Sequence, residues 1–108
     1  MSETLERIRD LVASGCYAFS NHAYEELAAD GILPREILAG LPAAIVVEDY
    51  PDAKRGPSVL VFWRGENGDP LHAVWGVHAS NADRAILITV YRPNPKLWTP
   101  DYLKRLRP

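Results

Sequence analysis

The chain has a single cysteine, Cys16, among its 108 residues. An intrachain disulfide framework and a thiolate zinc site are therefore excluded, and a reducing compartment is the natural setting. No apolar run approaches the roughly 20 residues that span a bilayer. The opening MSETLERIRDL is amphipathic and charged where a secretory leader would be continuously apolar. These absences lead to the expectation of a cytoplasmic protein with no membrane partner. Glycine-rich phosphate loops and Gly-x-Ser-x-Gly elbows are also missing, which counts against nucleotide hydrolases and serine hydrolases. The three histidines, His22, His72 and His78, show no His-x-His or His-Glu-x-x-His spacing. His72 and His78 on one extended segment would sit about 20 Å apart, too far to share an ion. No metal and no cofactor are expected. Internal repeats, low-complexity tracts and linkers are absent, so residues 1–108 read as a single domain.

What is present is an ordinary globular composition, 47% hydrophobic and 24% charged, enough to bury a core without disulfides or a metal. The net charge of −2 conceals an asymmetry. Residues 1–54 carry four bases and ten acids; residues 55–108 carry eight bases and four acids. The most basic stretch holds Arg92, Lys96, Lys104, Arg105 and Arg107 against Asp101 alone. It could grip an RNA backbone, or serve as a solvated terminal helix whose cations favour its own dipole.

Apolar spacing at Leu5, Ile8, Leu11 and Val12 predicts a first helix ended by Gly15. A second begins at Ser20 or Asn21 and stops at Gly31; a third starts at Pro34 and closes at Gly40 and Pro42. The period then becomes extended, predicting strands over residues 44–50, 58–64, 71–79 and 85–92. The breaks PDAKRGP, GENGDP and SNADR are turn-like, and Thr99-Pro100 opens a last short helix, DYLKRL. Short connections favour an antiparallel meander. The expected fold is α+β, with two or three N-terminal helices on one face of a twisted four-stranded antiparallel sheet and a short C-terminal helix.

Strand alternation places Leu71, Ala73, Trp75 and Val77 inward, leaving His72, Gly76 and His78 on the opposite face. In the last strand it places Ile86, Ile88 and Val90 inward and Tyr91 outward. If Ser80 pairs with Ala85, Tyr91 opposes Val74 and is a diagonal neighbour of His72. The second strand, SVLVFWR, is apolar on both parities, so its register stays open.

The blocks FSNHAYEEL, GILPREIL, VVEDYPDAKRGPSVLVF, PLHAVWGV and ILITVYRPNPKLW, in that order, resemble the bacterial family described as domain of unknown function 4258. That family is similar to the RelE/ParE/MqsR group of toxins. The resemblance runs roughly from Tyr17 to Trp98. It implies a helix-packed twisted antiparallel sheet, a cognate antitoxin as partner, often a zinc-finger protein, and metal-independent RNA cleavage. The expected function is a toxin-like endoribonuclease of the mRNA interferase type; the alternative is a non-catalytic RNA- or protein-binding module on the same fold.

Individual residues carry two readings each. His72 would act as general acid or base, or be a half-buried histidine bonded across the sheet. Tyr91 would orient RNA or pack the sheet. Arg92 would bind phosphate bidentately or pair with Asp49 or Glu48. His22 would bring a second imidazole, or pack and hydrogen-bond at a helix start. Lys54, Arg55, Arg64 and Lys96 would bind RNA, with Lys54 and Arg55 otherwise a solvated turn. Trp98 would stack on a base or pin the C-terminal segment. His72, Tyr91 and Arg92 are expected to form one cluster, with Arg92 bending round the strand end at Pro93.

Overall fold

In the computed structural model, residues 2–78 and 80–106 are described. Ala79, expected at the end of a strand, and Arg107 in the basic stretch lie outside them. Helix α1 spans Glu3–Ala13, with the Ser2 hydroxyl accepting from the Leu5 amide at 3.0 Å. Strand β1, Tyr17–Phe19, leads into α2, Asn21–Asp30. Ser20 caps α2 by accepting from Ala23, and Gly31 ends it at φ 64°, where a side chain would be strained. Helix α3, Pro34–Gly40, runs into a 3-10 turn over Leu41–Ala43. Strands β2 (Ile45–Tyr50), β3 (Ser58–Arg64), β4 (Pro70–His78) and β5 (Asn81–Tyr91) follow in antiparallel succession.

The expected four-stranded antiparallel sheet is corrected. Among the described residues the sheet has five strands in the order β1-β5-β4-β3-β2, and it is mixed, because β1 pairs parallel to β5 through Tyr17↔Ala85, Ala18↔Ile86 and Phe19↔Leu87. Three residues give no periodicity to read, and their partner lies far along the chain; only the fold brings them together.

One sheet face buries the core. Leu5 and Ile8 of α1 and Ala23 and Leu27 of α2 cluster with Val59, Val61, Leu71, Ala73, Trp75, Val77, Ala85, Leu87 and Val90. The β4 alternation follows the sequence pattern, but β5 does not. Pairing runs Trp75↔Leu87 and then Val74↔Thr89, so Ile88 is an extra residue in a β-bulge. Ala85 and Leu87 are therefore the inward residues below the bulge, and Ile88 is exposed. Only Val90, beyond it, keeps its expected side. Tyr91 lies directly opposite His72 rather than Val74, a register set by this bulge together with a second shift between Val77 and His78.

The expected C-terminal helix is also absent. Among the described residues, 93–106 form a non-helical strap across the second sheet face, closed by an isolated antiparallel bridge between Trp98 and Arg105. Local side chains compete with the helix: Thr99 donates to Asp101, which accepts from the Leu103 amide at 3.1 Å, while the Thr99 amide donates to the Lys104 carbonyl and the Thr99 hydroxyl accepts from the Lys104 amide. Tyr102 takes φ 61°, which no α-helix permits.

Candidate functional site

The second sheet face carries the first cluster. Phe62, His72 and Tyr91 stand side by side on β3, β4 and β5 through the pairs Phe62↔His72 and His72↔Tyr91. The strap covers this row. Trp98 meets the His72 ring edge-on at 4.4 Å between centroids, and Tyr102 stacks on Phe62 at 5.9 Å. His72 is left with no exposed surface, so its expected exposure is corrected. Its Nε2 lies 2.9 Å from the Tyr102 carbonyl oxygen. A carbonyl only accepts, so Nε2 carries the proton and donates. In the neutral ring Nδ1 is then the acceptor, and the Tyr91 hydroxyl donates to it at 3.1 Å. Both nitrogens are committed. Burial holds the His72 pKa below its ordinary 6.5, against the opposing pull of the Tyr102 carbonyl. Burial raises Tyr91.

An ion pair ties the strap down. Arg105 donates to Glu48 of β2 through Nε at 2.7 Å and Nη2 at 3.1 Å, and its guanidinium lies 4.8 Å from the Trp98 ring centroid. The Arg105 contact, with a further hydrogen bond from Tyr50, keeps the Glu48 carboxyl below its ordinary 4.5 despite partial burial. The sequence offered Glu48 as a partner for Arg92 and Arg105 as part of a basic stretch, but not their pairing with each other, because a β2-to-strap pair leaves no spacing signal. Trp98 is buried and pins the strap, the structural of its two readings. Arg64 sits over Phe62 and Tyr102 and donates to the Gly68 carbonyl.

The second cluster runs along the edge of β5, where β1 stops and α2 takes over. Ser20 donates through its hydroxyl to the Ile88 carbonyl at 2.9 Å. Glu26, one turn on from His22, accepts from the Val90 amide at 3.0 Å and from the Thr89 hydroxyl. At the far end of α2, Arg92 reaches the Asp30 carbonyl at 3.3 Å and the Asp69 carboxylate at 3.4 Å. Its partner is thus Asp69, not Asp49 or Glu48. β1 pairs with β5 only as far as Leu87, so beyond it Glu26 takes the place of a strand partner for the Val90 amide, and a buried amide left unpaired would be costly.

On Glu26 rests His22. Its Nε2 lies 3.2 Å from Glu26 Oε1, with the histidine side chain 65% exposed and the glutamate 24%. The anchored carboxylate fixes the imidazole, and the imidazole faces solvent. This is the relation between an orienting acid and a proton-transferring base. The expected single cluster is therefore two. His72 and Tyr91 lie under the strap, while His22 and Arg92 flank the α2–β5 edge. Lys54 and Arg55 are exposed in the β2–β3 turn, and Lys96 is exposed on the strap. Among the described residues no three His, Cys, Asp or Glu side chains converge as metal ligands, and no helix is long and apolar enough to cross a membrane.

A family model, Domain of unknown function (DUF4258), matches residues 19–92. The chain belongs to this family. The match begins just before the α2 cap and ends at Arg92, so Ser20, His22, Glu26 and Arg92 all fall within the DUF4258 segment. The strap lies outside it. No curated protein and no solved structure matches the chain.

Proposed function

We propose that this DUF4258 protein is a RelE/ParE-like, metal-independent endoribonuclease of the cytoplasm, held in check by an antitoxin protein, and that His22 rather than His72 transfers the proton. The observation that carries this reading is the solvent-facing His22 imidazole set on a glutamate that β5 itself anchors. In the reaction the ribose 2′-oxygen attacks the adjacent phosphorus, and the phosphorus–5′-oxygen bond breaks. His22 takes the 2′-hydroxyl proton and returns one to the departing 5′-oxygen. Arg92, at the other end of α2, makes two long contacts and has a side chain 42% exposed, so it can exchange Asp69 for a neighbouring phosphate of the RNA and hold the strand along the edge. Glu26 positions His22 without touching substrate.

The alternative, a binding module without catalysis, draws support from His72: both ring nitrogens are used within the protein, as a structural residue's would be. Purified protein incubated with single-stranded RNA in a chelator separates the two. The catalytic reading expects 2′,3′-cyclic phosphate ends, lost in His22→Ala and retained in the folded fraction of His72→Ala. Undiminished cleavage by His22→Ala, or no cleavage by the wild type, would overturn it.

A further inference from the structure

Beside the edge cluster the second sheet face opens into a cavity of about 500 Å³. Gly76 forms its floor, and Ile86 and the bulged Ile88 form one wall. Ser20 lies at its border, and Lys54 and Arg55 line its other side. Its volume falls in the range of small-molecule sites. Gly76 keeps it open: a Cβ there would meet Ile88 Cδ1 at 2.9 Å and the Pro57 carbonyl at 3.3 Å. Among the described residues no acidic side chain lines it, although the half of the chain that supplies Lys54 carries ten acids against four bases.

The cavity also continues into the edge cluster. Ser20, at its border, is the cap residue two positions before His22. From Ile88 to Arg92 along β5 is about 13 Å at the usual strand rise. Along that line stand, in order, the apolar Ile88, the Glu26–His22 pair and the exposed Arg92 guanidinium.

We propose that this cavity is a nucleotide subsite, holding the unpaired base that flanks the scissile phosphate while Lys54 and Arg55 contact the phosphates on its far side. This rests on the ribonuclease reading for the word scissile, but not for the binding. Ile86, Ile88 and the planar Arg55 guanidinium supply faces on which a base can lie, and the Ser20 hydroxyl stands at the mouth. A cation-rimmed, acid-free pocket suits a nucleotide's polyanionic backbone better than a neutral ligand. The bound base would make cleavage depend on the nucleotide at one side of the cut.

The test uses hexauridylate and the same oligomer with single abasic positions. Binding to the full chain is followed by anisotropy, and cleavage by gel in a chelator. One abasic position next to the cut should weaken wild-type binding about tenfold, as losing one stacked base does. Ile88→Glu, at an already exposed position, should weaken the intact oligomer similarly and erase the abasic difference; Arg55→Glu should do the same and reduce the salt dependence. Position-dependent binding without cleavage would uphold the subsite and overturn the ribonuclease reading. Cleavage indifferent to base removal and to both variants would overturn the subsite and leave that reading standing. The wild type failing to bind the oligomer, or binding an acidic leucine peptide through Ile88 in its place, would overturn the subsite.

Discussion

His72 and His22 present one side chain in two environments. His72 sits in the middle of the sheet, ringed by Phe62, Tyr91, Trp98 and Tyr102, with each ring nitrogen bonded inside the protein. His22 stands on the first turn of a helix, held through one nitrogen by a carboxylate that is itself bonded twice to β5. Burial makes the first a packing and hydrogen-bonding element that resists carrying charge. Orientation without burial makes the second available to a substrate. Proximity to aromatic and basic neighbours does not make an imidazole available for proton transfer; exposure to water does.

The largest expected break in this comparison is in rate. His22→Ala should lower RNA cleavage about 10²- to 10⁴-fold, the usual worth of a positioned acid or base, while its denaturation midpoint stays near wild type. His72→Ala should do the reverse. It leaves a void beneath Trp98 and strips partners from the Tyr91 hydroxyl and the Tyr102 carbonyl. A loss of about 3 kcal/mol in urea unfolding is expected, with cleavage per folded molecule little changed. Equal effects of the two variants on both measurements would dissolve the distinction.

Glu26→Ala tests the connection between scaffold and site. It should remove the acceptor for the Val90 amide and the Thr89 hydroxyl, costing about 1–3 kcal/mol, and release His22 as well. Glu26→Gln keeps an acceptor oxygen and so should recover most of the stability but not the rate. A Gln variant as active as the wild type would show that His22 does not depend on the carboxylate charge.

Much of this was legible before the fold. Helix limits at Ser20 and Gly31 followed from capping chemistry, and β3 from its bounded apolar run. The adjacency of His72 and Tyr91 followed from parity on neighbouring strands. What failed did so for physical reasons. The bulge at Ile88 adds one residue to β5, and because strand parity has period two, that single residue reverses every inward assignment below it. β1 was too short for periodicity. The strap was misread because TPDYLKRL has helical composition, yet Thr99 and Asp101 satisfy its backbone amides in a turn. With no helix there, the second face is covered where it was expected open, and His72 loses its place as the leading candidate. Glu26 carried no signal beyond lying four residues after His22, since its β5 partners are more than 60 residues away.

Acid pH should separate the two environments more gently. Folding lowers the His72 pKa, so as pH falls the unfolded chain takes up this proton first. Its contribution to stability is fully present above pH 6.5. It declines from there toward the lowered folded value and is flat below that. The slope can reach at most about 1.4 kcal/mol per pH unit. Glu48, whose pKa is also lowered by folding, adds a second decline below about 4.5. Urea unfolding of His72→Gln should lack the first decline and keep the second. An identical slope between pH 7 and 5 in wild type and His72→Gln would show that His72 is not the group being protonated.

The smallest effect should come from Arg105→Ala. Its guanidinium makes two hydrogen bonds to Glu48 and lies over Trp98, yet the side chain is 51% exposed, so solvent screens the attraction. Exposed pairs of this kind are worth about 0.2–1 kcal/mol, less at high salt. The strap owes more of its hold to the buried Trp98 and to the His72–Tyr102 hydrogen bond. The substitution should therefore quicken amide exchange around Trp98 and Tyr102, reduce global stability by less than about 1 kcal/mol and leave His22-dependent cleavage intact. A larger loss that vanishes in 1 M salt would instead make the ion pair the principal fastening of the strap. Altered cleavage would link the two regions that the geometry keeps apart.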